Sequence, residues 1–239
     1  MPGYVGHEVI SPAKKRVIDS ILSVFETGKP EGDYGACVVL PDGAGITYGK
    51  HQSTDGYEDS LDKIVIEYIE RDGYWADQLA FYLDKLEADA TTRADPNNLP
   101  PWVQDLMSVL VVASEDPIMR AVQDDVFDAH YWNPAAEQAL EMGLEEPLSW
   151  LVCYDSTIQS GKNGIRTIRA RFPELPPSKG GEESAWVAAY LRERRKYLLS
   201  IPHAAFSVYR VDAMLAMLDD HNWSLETPIE IAKPKATVT

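Results

Sequence analysis

The sequence has few cysteines and no long apolar segment. Its 239 residues include two cysteines, Cys37 and Cys153, both in apolar surroundings, so buried free thiols are expected and no disulfide framework is indicated. A single disulfide between them is the alternative. No apolar run approaches the roughly 18 residues of a membrane-spanning helix, so membrane insertion is not expected. The first residues lack a basic segment followed by an apolar one, and no signal peptide is visible.

Positive charge is scarce in this chain. It has 22 lysines and arginines against 38 aspartates and glutamates, which gives a net charge of −16 at pH 7. Such a surface repels a phosphate backbone, so nucleic acid is not expected as a partner. The same surface attracts a polycation through long-range steering. An acidic composition that serves only solubility is the competing interpretation.

Motifs of several large enzyme classes are absent. The sequence has no G-x-S-x-G of serine hydrolases, no P-loop and no dinucleotide-binding fingerprint. His130, His203 and His221 are widely separated along the chain and lack the spacing of metal ligands. The sequence therefore predicts neither a cofactor nor a metal site.

Apolar periodicity predicts a mostly helical chain. Ser11-Pro12 has the form of a helix start, apolar residues recur at helical spacing from Val17 to Phe25, and Gly28 marks the stop. Residues 36–40 and 46–49 are predicted as two short strands around the turn Pro41–Gly45. The helices predicted after them are Ser60–Arg71, Ala76–Ala90, Trp102–Ser114, Asp116–His130, Pro134–Met142, Glu146–Ser160, Gly164–Arg171, Glu183–Leu199 and Arg210–His221.

This order of elements indicates an α+β fold that is mostly α-helical, with a small β-hairpin region near the N-terminus. Residues 1–239 are interpreted as a single domain with two lobes and a cleft between them. The polar segment Thr91–Pro101 is the candidate loop that joins the lobes, and residues 233–239 are expected to form a loose tail.

Two carboxylates, Glu26 and Asp42, lie at successive breaks in this pattern. Glu26 is expected at the C-terminal end of the first helix, where the negative end of the helix dipole disfavours a second negative charge. Asp42 lies in the glycine-rich turn Pro41–Gly45, a polar setting in which a carboxylate stays ionised. Two carboxyl groups in contrasting environments that face each other across a cleft are suited to hydrolysing a glycosidic bond.

Thr47 and His51 follow the glycine-rich turn. The Thr47 hydroxyl is expected to hold a water between itself and Asp42, and His51 is expected to line a binding groove rather than to act as an acid or base. The competing interpretations are structural. A glutamate near a helix end is usually only solvated, and Asp-Gly is a turn signal in itself.

In these features the chain resembles the family 46 glycoside hydrolases, which are chitosanases with a lysozyme-like fold. The family's first helix ends in its acidic catalyst, as Leu22–Glu26 does, and its second carboxylate lies in a D-G-x-G-x-T-x-G turn similar to Asp42–Gly49. The resemblance implies a two-lobed, lysozyme-like fold. Further segments that resemble the family, in the same order along the chain, are Asp124-Asp125, Tyr131–Ala135, Tyr154–Ser156, Gly180–Glu183, Leu191–Lys196 and Tyr209–Asp212.

The resemblance also implies roles for individual residues. Glu26 corresponds to the general acid, Asp42 to the general base, and Thr47 to the hydroxyl that positions the water. A buried charge network that supports the active-site region corresponds to Asp155, Arg194 and Arg210, with ordinary surface salt bridges as the alternative.

Substrate-binding residues are less clearly marked. Asp59 is similar to a substrate-binding aspartate of the family, but Asp55 and Glu58 compete for that place, and His51 is expected to border the same cleft. The segment Tyr48–Thr54 is more polar than its family counterpart, so the choice of substrate stays open.

The resemblance implies an endo-acting glycoside hydrolase that cleaves β-1,4 linkages of an amino-sugar polymer with inversion. The two carboxyl groups of an inverting enzyme lie about 6.5–9.5 Å apart, which leaves room for a water. Chitosan suits the acidic surface. A peptidoglycan muramidase, as in a phage endolysin or a secreted antibacterial effector, is the alternative with the same carboxylates, and an inactive glycan-binding module is a third. An extracellular or periplasmic site of action is expected.

Overall fold

A computed structural model of the chain describes residues 4–39, 45–54, 60–86 and 95–239. Within these ranges the α-helices are α1 (Pro12–Thr27), α2 (Ser60–Glu70), α3 (Ala76–Ala80), α4 (Leu83–Leu86), α5 (Pro101–Ala113), α6 (Pro117–Phe127), α7 (Asn133–Met142), α8 (Pro147–Arg169), α9 (Glu183–Leu199) and α10 (Val208–Asp219). The strands are β1 (Cys37–Val39), β2 (Ile46–Tyr48), β3 (Ser53–Thr54), β4 (Ile229–Ala232) and β5 (Lys235–Val238). The predicted α+β class, mostly helical with a small strand region near the N-terminus, is confirmed.

The chain divides into two compact units. The terminal unit is formed by residues 1–31 and 129–239, and the central unit by residues 32–128. The prediction that Thr91–Pro101 joins two lobes is wrong, because the chain passes between the units near residues 31 and 128. Residues 95–101 precede α5 inside the central unit, and residues 91–94 lie outside the described part of the chain. A polar, proline-rich segment is equally compatible with an internal loop.

The terminal unit begins with α1, which forms as the sequence predicts. The Ser11 side chain accepts a hydrogen bond from the amide of Lys14 at 3.3 Å, and Pro12 opens the first turn. Gly28 ends the helix in the left-handed conformation, with φ 78°, and its amide donates to the carbonyl of Val24 at 2.9 Å. The face turned to the core is formed by Ile18, Ile21, Leu22, Val24 and Phe25.

Helix α8 is the central helix of the terminal unit, because it packs against α1, α7, α9 and α10. The backbone of α8 leaves the helical conformation at Gly161, where φ is 58° and ψ is 179°, so the prediction of two helices, over residues 146–160 and 164–171, is confirmed apart from their exact bounds. Trp132, Trp150 and Trp186 are fully buried in this unit.

The predicted loose tail at residues 233–239 is wrong. Strand β5 pairs with β4 in antiparallel register, with Ile229 opposite Val238 and Ile231 opposite Ala236. The side chains of Ile229, Ile231 and Val238 are buried, and β5 packs against α1. Apolar residues on one face of this hairpin hold it to the unit, and this packing cannot be seen from the segment's position at the end of the chain, on which the prediction rested.

The central unit combines a small sheet with five helices of the described ranges, α2 to α6. Strands β1, β2 and β3 are antiparallel in that order, so the predicted strand pair is confirmed and β3 is an addition to it. The predicted helix Ala76–Ala90 is two short helices, α3 and α4, with residues 87–90 outside the described chain. Helix α2 packs on α6, and Tyr48 of β2 donates from its buried hydroxyl to the carbonyl of Leu110 at 2.7 Å.

Each unit contains one cysteine. Cys37 lies in β1 of the central unit and is packed against its core, and Cys153 lies buried in α8 of the terminal unit. Both are free thiols, as expected from the sequence.

Candidate active site

Glu26 lies in the last turn of α1 and is approached by α10. Arg210 Nη1 lies 2.7 Å from Glu26 Oε1. Tyr209 donates a hydrogen bond from its hydroxyl to the carbonyl of Phe25, and the two rings meet edge-on with centroids 6.2 Å apart. The Glu26 side chain is 43% exposed, and its second oxygen, Oε2, makes no hydrogen bond or ion pair to a described residue. Arg210 therefore holds one carboxyl oxygen, and no described residue binds the other.

Arg210 also contacts a buried carboxylate, Asp155 of α8. Arg210 Nε donates to Asp155 Oδ1 at 2.7 Å, and Arg194 Nη2 of α9 lies 2.6 Å from Asp155 Oδ2. The side chains of Asp155 and Arg194 are completely buried, and that of Arg210 is 6% exposed. The structure thus brings together the three residues that the sequence proposes as a network. It adds the ion pair to Glu26, which the sequence did not predict.

The charges of this network compensate one another. Burial opposes ionisation of Asp155, but the charges of Arg210 and Arg194, with their hydrogen bonds, lower its pKa. Burial also disfavours the charge of Arg210, whereas Asp155 and Glu26 raise the pKa of the guanidinium. Two cations alternate with two carboxylates from Arg194 to Glu26, so no charge is left buried without a partner. The positive charge of Arg210 beside Glu26 offsets the negative end of the α1 dipole, an interaction that the sequence alone did not reveal.

Thr47 lies in the middle of β2 in the central unit. It is paired with Val38 on β1 and with Thr54 on β3, and the residue is 5% exposed. Its hydroxyl is buried and has no hydrogen-bond partner among the described residues. A buried hydroxyl without a protein partner is a place where an ordered water is expected. This is the property that a water-positioning threonine needs.

Four candidate site residues lie outside the described residues. They are Asp42, in the connection between β1 and β2, and Asp55, Glu58 and Asp59, between β3 and α2. Their assignments as general base and as substrate-binding carboxylates stay predictions.

His51 is packed against α6 of its own unit. Its ring stacks on Phe127 with centroids 3.9 Å apart, and Nε2 lies 2.9 Å from Asp124 Oδ1. The His51 side chain is 14% exposed, and substrate binding by this residue stays a prediction.

Asp124 contacts several polar side chains, and the sequence did not predict that these residues would lie together. Lys50 Nζ lies 3.2 Å from Oδ1, beside His51, and the Tyr34 hydroxyl donates to Oδ2 at 2.7 Å. Burial opposes its ionisation, but the hydrogen bond from His51 and the charge of Lys50 lower the pKa of Asp124 to about 2. The sequence offered one signal for this cluster. Gln123 follows Met119 by four residues, so both lie on the same face of the predicted helix, and both are buried on α6. A polar residue on an apolar helix face, followed directly by an aspartate, indicates buried hydrogen-bond partners.

In the described residues, no group of three or more histidine, cysteine, aspartate or glutamate side chains is placed to hold a metal ion. Among the described helices, none combines the length and apolar character required to cross a membrane.

Known proteins resemble the chain over most of its length. The model of Glycosyl hydrolase family 46 matches residues 20–229. The chitosanase of Bacillus subtilis (strain 168) is 28% identical over 232 residues, which cover 91% of this chain and 81% of that protein. The chitosanase of Nocardioides sp. (strain N106) is 25% identical over 229 residues, with coverage of 92% and 78%.

Solved structures share the architecture. The family 46 chitosanase of Gynuella sunshinyii in complex with chitotetraose has a TM-score of 0.75 and 29% identity, covering 96% of this chain and 99% of that chain. A mutant chitosanase from Bacillus subtilis MY002 complexed with 6 GlcN has a TM-score of 0.79 at 24% identity, covering 96% and 100%, which is a likeness of fold.

The predicted lysozyme-like architecture is thereby confirmed, and so is the prediction of a glycoside hydrolase. The family match includes the segment with Glu26 and the D-G-x-G-x-T-x-G turn, and it extends through the network of Asp155, Arg194 and Arg210. The chain therefore belongs to glycosyl hydrolase family 46.

Proposed function

We propose that the chain is an endo-acting chitosanase that cleaves β-1,4 linkages between glucosamine units with inversion at the anomeric carbon. The observation that carries this proposal is the likeness to the Gynuella sunshinyii chitosanase in complex with chitotetraose, which extends over 96% of this chain at 29% identity. The chitosanases of Bacillus subtilis (strain 168) and Nocardioides sp. (strain N106) support the same substrate.

Glu26 is the general acid of this proposal. Arg210 binds Oε1 at 2.7 Å and fixes the plane of the carboxyl group, while Oε2 is not engaged by the described residues. A proton on Oε2 is the one that Glu26 transfers to the oxygen of the leaving sugar, which cleaves the glycosidic bond. Because Arg210 is itself held by Asp155, the acid is oriented from the protein interior.

Asp42 is the general base, and it removes a proton from the attacking water as the new bond to the anomeric carbon forms. Thr47 holds that water through its hydroxyl. The support from the structure is that this hydroxyl is buried on β2 and has no partner among the described residues. An inverting enzyme needs a water held in this way, whereas a retaining enzyme uses its second carboxylate as the nucleophile.

The charge of the chain suits a cationic polymer. Chitosan bears ammonium groups, and a protein with a net charge of −16 attracts it at long range. We assign local binding of the ammonium groups to Asp59, with Asp55 and Glu58 beside it in sequence, and further binding of the polymer to His51. Peptidoglycan is anionic, and the relatives named above give a muramidase no support, so that alternative is not proposed.

The test is digestion of low-acetylation chitosan by the purified protein and by two variants. Glu26→Gln removes the proton donor but preserves the side-chain shape, and we expect kcat to fall by at least ~10²-fold with the melting temperature retained. Asp42→Asn is expected to have an effect of similar size. Proton NMR of the first product should show the inverted α-anomer.

Glu230→Gln is the matched control, because Glu230 is an exposed carboxylate of β4 that interacts with Thr237 in the same hairpin. It should turn over chitosan like the wild type. Wild-type kcat in Glu26→Gln would refute the acid assignment, and a first product of retained configuration would make Asp42 a nucleophile. Release of muropeptides from sacculi, with no cleavage of chitosan, would refute the substrate.

A further inference from the structure

Two successive residues of α6, Gln123 and Asp124, hold the chain just before β1 and just after β2. Gln123 Nε2 donates to the carbonyl of Tyr34 at 3.1 Å, and the amide of Lys50 donates to Gln123 Oε1 at 3.1 Å. Asp124 binds the side chains of the same two residues, at 2.7 Å from the Tyr34 hydroxyl and 3.2 Å from Lys50 Nζ. Gln123 thus binds the backbones of Tyr34 and Lys50, and Asp124 binds the side chains of the same two residues. We call this pair of residues the α6 clamp.

The clamp is closely fitted around Gly49. Gln123 is 1% exposed, and a Cβ atom at Gly49 would lie 2.2 Å from Gln123 Oε1. Gly49 also has a φ of 79°, which side-chain-bearing residues rarely adopt. Its amide donates to the carbonyl of Ala36 at 2.7 Å, which ties the end of β2 to the start of β1. The close approach and the backbone conformation both require glycine here.

Thr47 is two residues from Gly49, on the strand that the clamp holds. Its hydroxyl has no hydrogen-bond partner among the described residues, so no such bond from those residues fixes its direction. Its place depends on β2, which is anchored at Tyr48 by the hydrogen bond to Leu110 and beyond Tyr48 by the clamp. A shift of β2 by a fraction of an ångström would move the hydroxyl by a similar distance.

We infer that Gln123 and Asp124 are positioning residues for Thr47, through the backbone of β2. The inference rests on the role proposed above for Thr47 in holding the attacking water. Misplacement of a reacting group by about 1 Å can cost about 10²-fold in rate. A loosened clamp therefore lowers kcat. The hydrogen bonds of Gln123 are to the backbones of Tyr34 and Lys50, neither of which is assigned to polymer binding, so KM should stay unchanged when Gln123 is altered.

The test is a kinetic coupling experiment with Gln123→Met, which preserves side-chain length but removes both hydrogen bonds. We expect kcat on chitosan to fall between about 10-fold and about 10²-fold with KM unchanged, at a temperature where the variant is fully folded. In a Thr47→Ala background the same substitution should cause no further loss, because the group that it misplaces is gone. Asp124→Asn, which preserves shape and removes charge, provides a second variant if Gln123→Met does not fold, and should show the same coupling in kcat. Its KM is not a readout of the clamp, because Asp124 also binds His51.

Asp125→Asn is the matched control on the same helix. Asp125 pairs with Arg71 at 2.7 Å on the surface and is 59% exposed, so kcat and KM should both be unchanged. A lower melting temperature with unchanged kcat in both clamp variants would show that the clamp only stabilises the fold and would overturn the inference. Losses that multiply independently in the Thr47→Ala background would overturn it as well. An unchanged kcat in Thr47→Ala alone would refute the proposed role of Thr47, and the positioning role with it.

Discussion

The buried carboxylate Asp155 provides the sharpest quantitative test of the network beside Glu26. Asp155→Asn preserves the side-chain volume but removes the charge that faces Arg194 and Arg210, at 2.6 Å and 2.7 Å respectively. All three side chains are buried, or nearly so. Removing one partner of a buried ion pair costs about 3–5 kcal/mol, because the remaining charge loses its compensation.

This cost translates into a large thermal shift. For a chain of 150–250 residues each kcal/mol corresponds to about 2–4 °C in Tm, so the expected loss is about 6–20 °C. Differential scanning calorimetry measures it directly. Activity on chitosan should be lost mainly through this instability. Thermal inactivation should follow the lowered Tm, and activity should be retained well below it, in contrast to Glu26→Gln.

Asp212→Asn is the matched control, because the ion pair between Arg195 of α9 and Asp212 of α10 lies at the surface. The two groups are 2.7 Å apart with side chains 44% and 48% exposed, so solvent screens the pair and its loss should lower Tm only slightly. A Tm loss in Asp155→Asn no larger than that of Asp212→Asn would refute the reasoning from burial.

Two further predictions concern pH and salt. His51, Lys50 and Tyr34 face Asp124, whose pKa is held at about 2 against an ordinary 3.8. A lowered pKa stabilises the fold above the ordinary value and loses this effect as pH falls through the folded value. The Tm difference between wild type and Asp124→Asn should therefore close as pH falls from about 4 to 2. A constant difference down to pH 2 would contradict the contacts at Asp124. Chitosan cleavage should weaken as ionic strength rises, mainly through KM, and also as acetylation removes ammonium groups; salt-independent KM would contradict binding by carboxylates.

Local sequence rules were sufficient to predict the helix that carries Glu26. The Ser11 cap, the proline at the first helical position, the apolar spacing and the terminal glycine each act within a few residues, and α1 follows them from Pro12 to Thr27. The same holds for β1 and β2, which precede and follow the glycine-rich segment 41–45 in the sequence. Sequence patterns of this range predicted where Glu26 and Thr47 lie.

Contacts between residues far apart in the sequence could not be predicted from such local patterns. Arg210 follows Glu26 by 184 positions, and only the packing of α10 near the end of α1 brings them to 2.7 Å. The network of Asp155, Arg194 and Arg210 came from resemblance to a family and not from a pattern. Gln123 was missed because a glutamine in a helix is usually solvated, and its two backbone partners are 89 and 73 residues away in the sequence.

The two thiols have a use that follows from their burial. Burial raises the pKa of Cys37 and of Cys153 to about 12, so almost no thiolate is present at neutral pH. Alkylating reagents attack the thiolate. The fully buried Cys153 should react only when its surroundings open, and the partly buried Cys37 should react slowly until its strand opens. Because one cysteine lies in each unit, mass spectrometry of the labelled peptides would show whether the two units unfold together or in sequence. Alkylation of Cys37 thus reports the opening of the central unit, and alkylation of Cys153 reports the opening of the terminal unit.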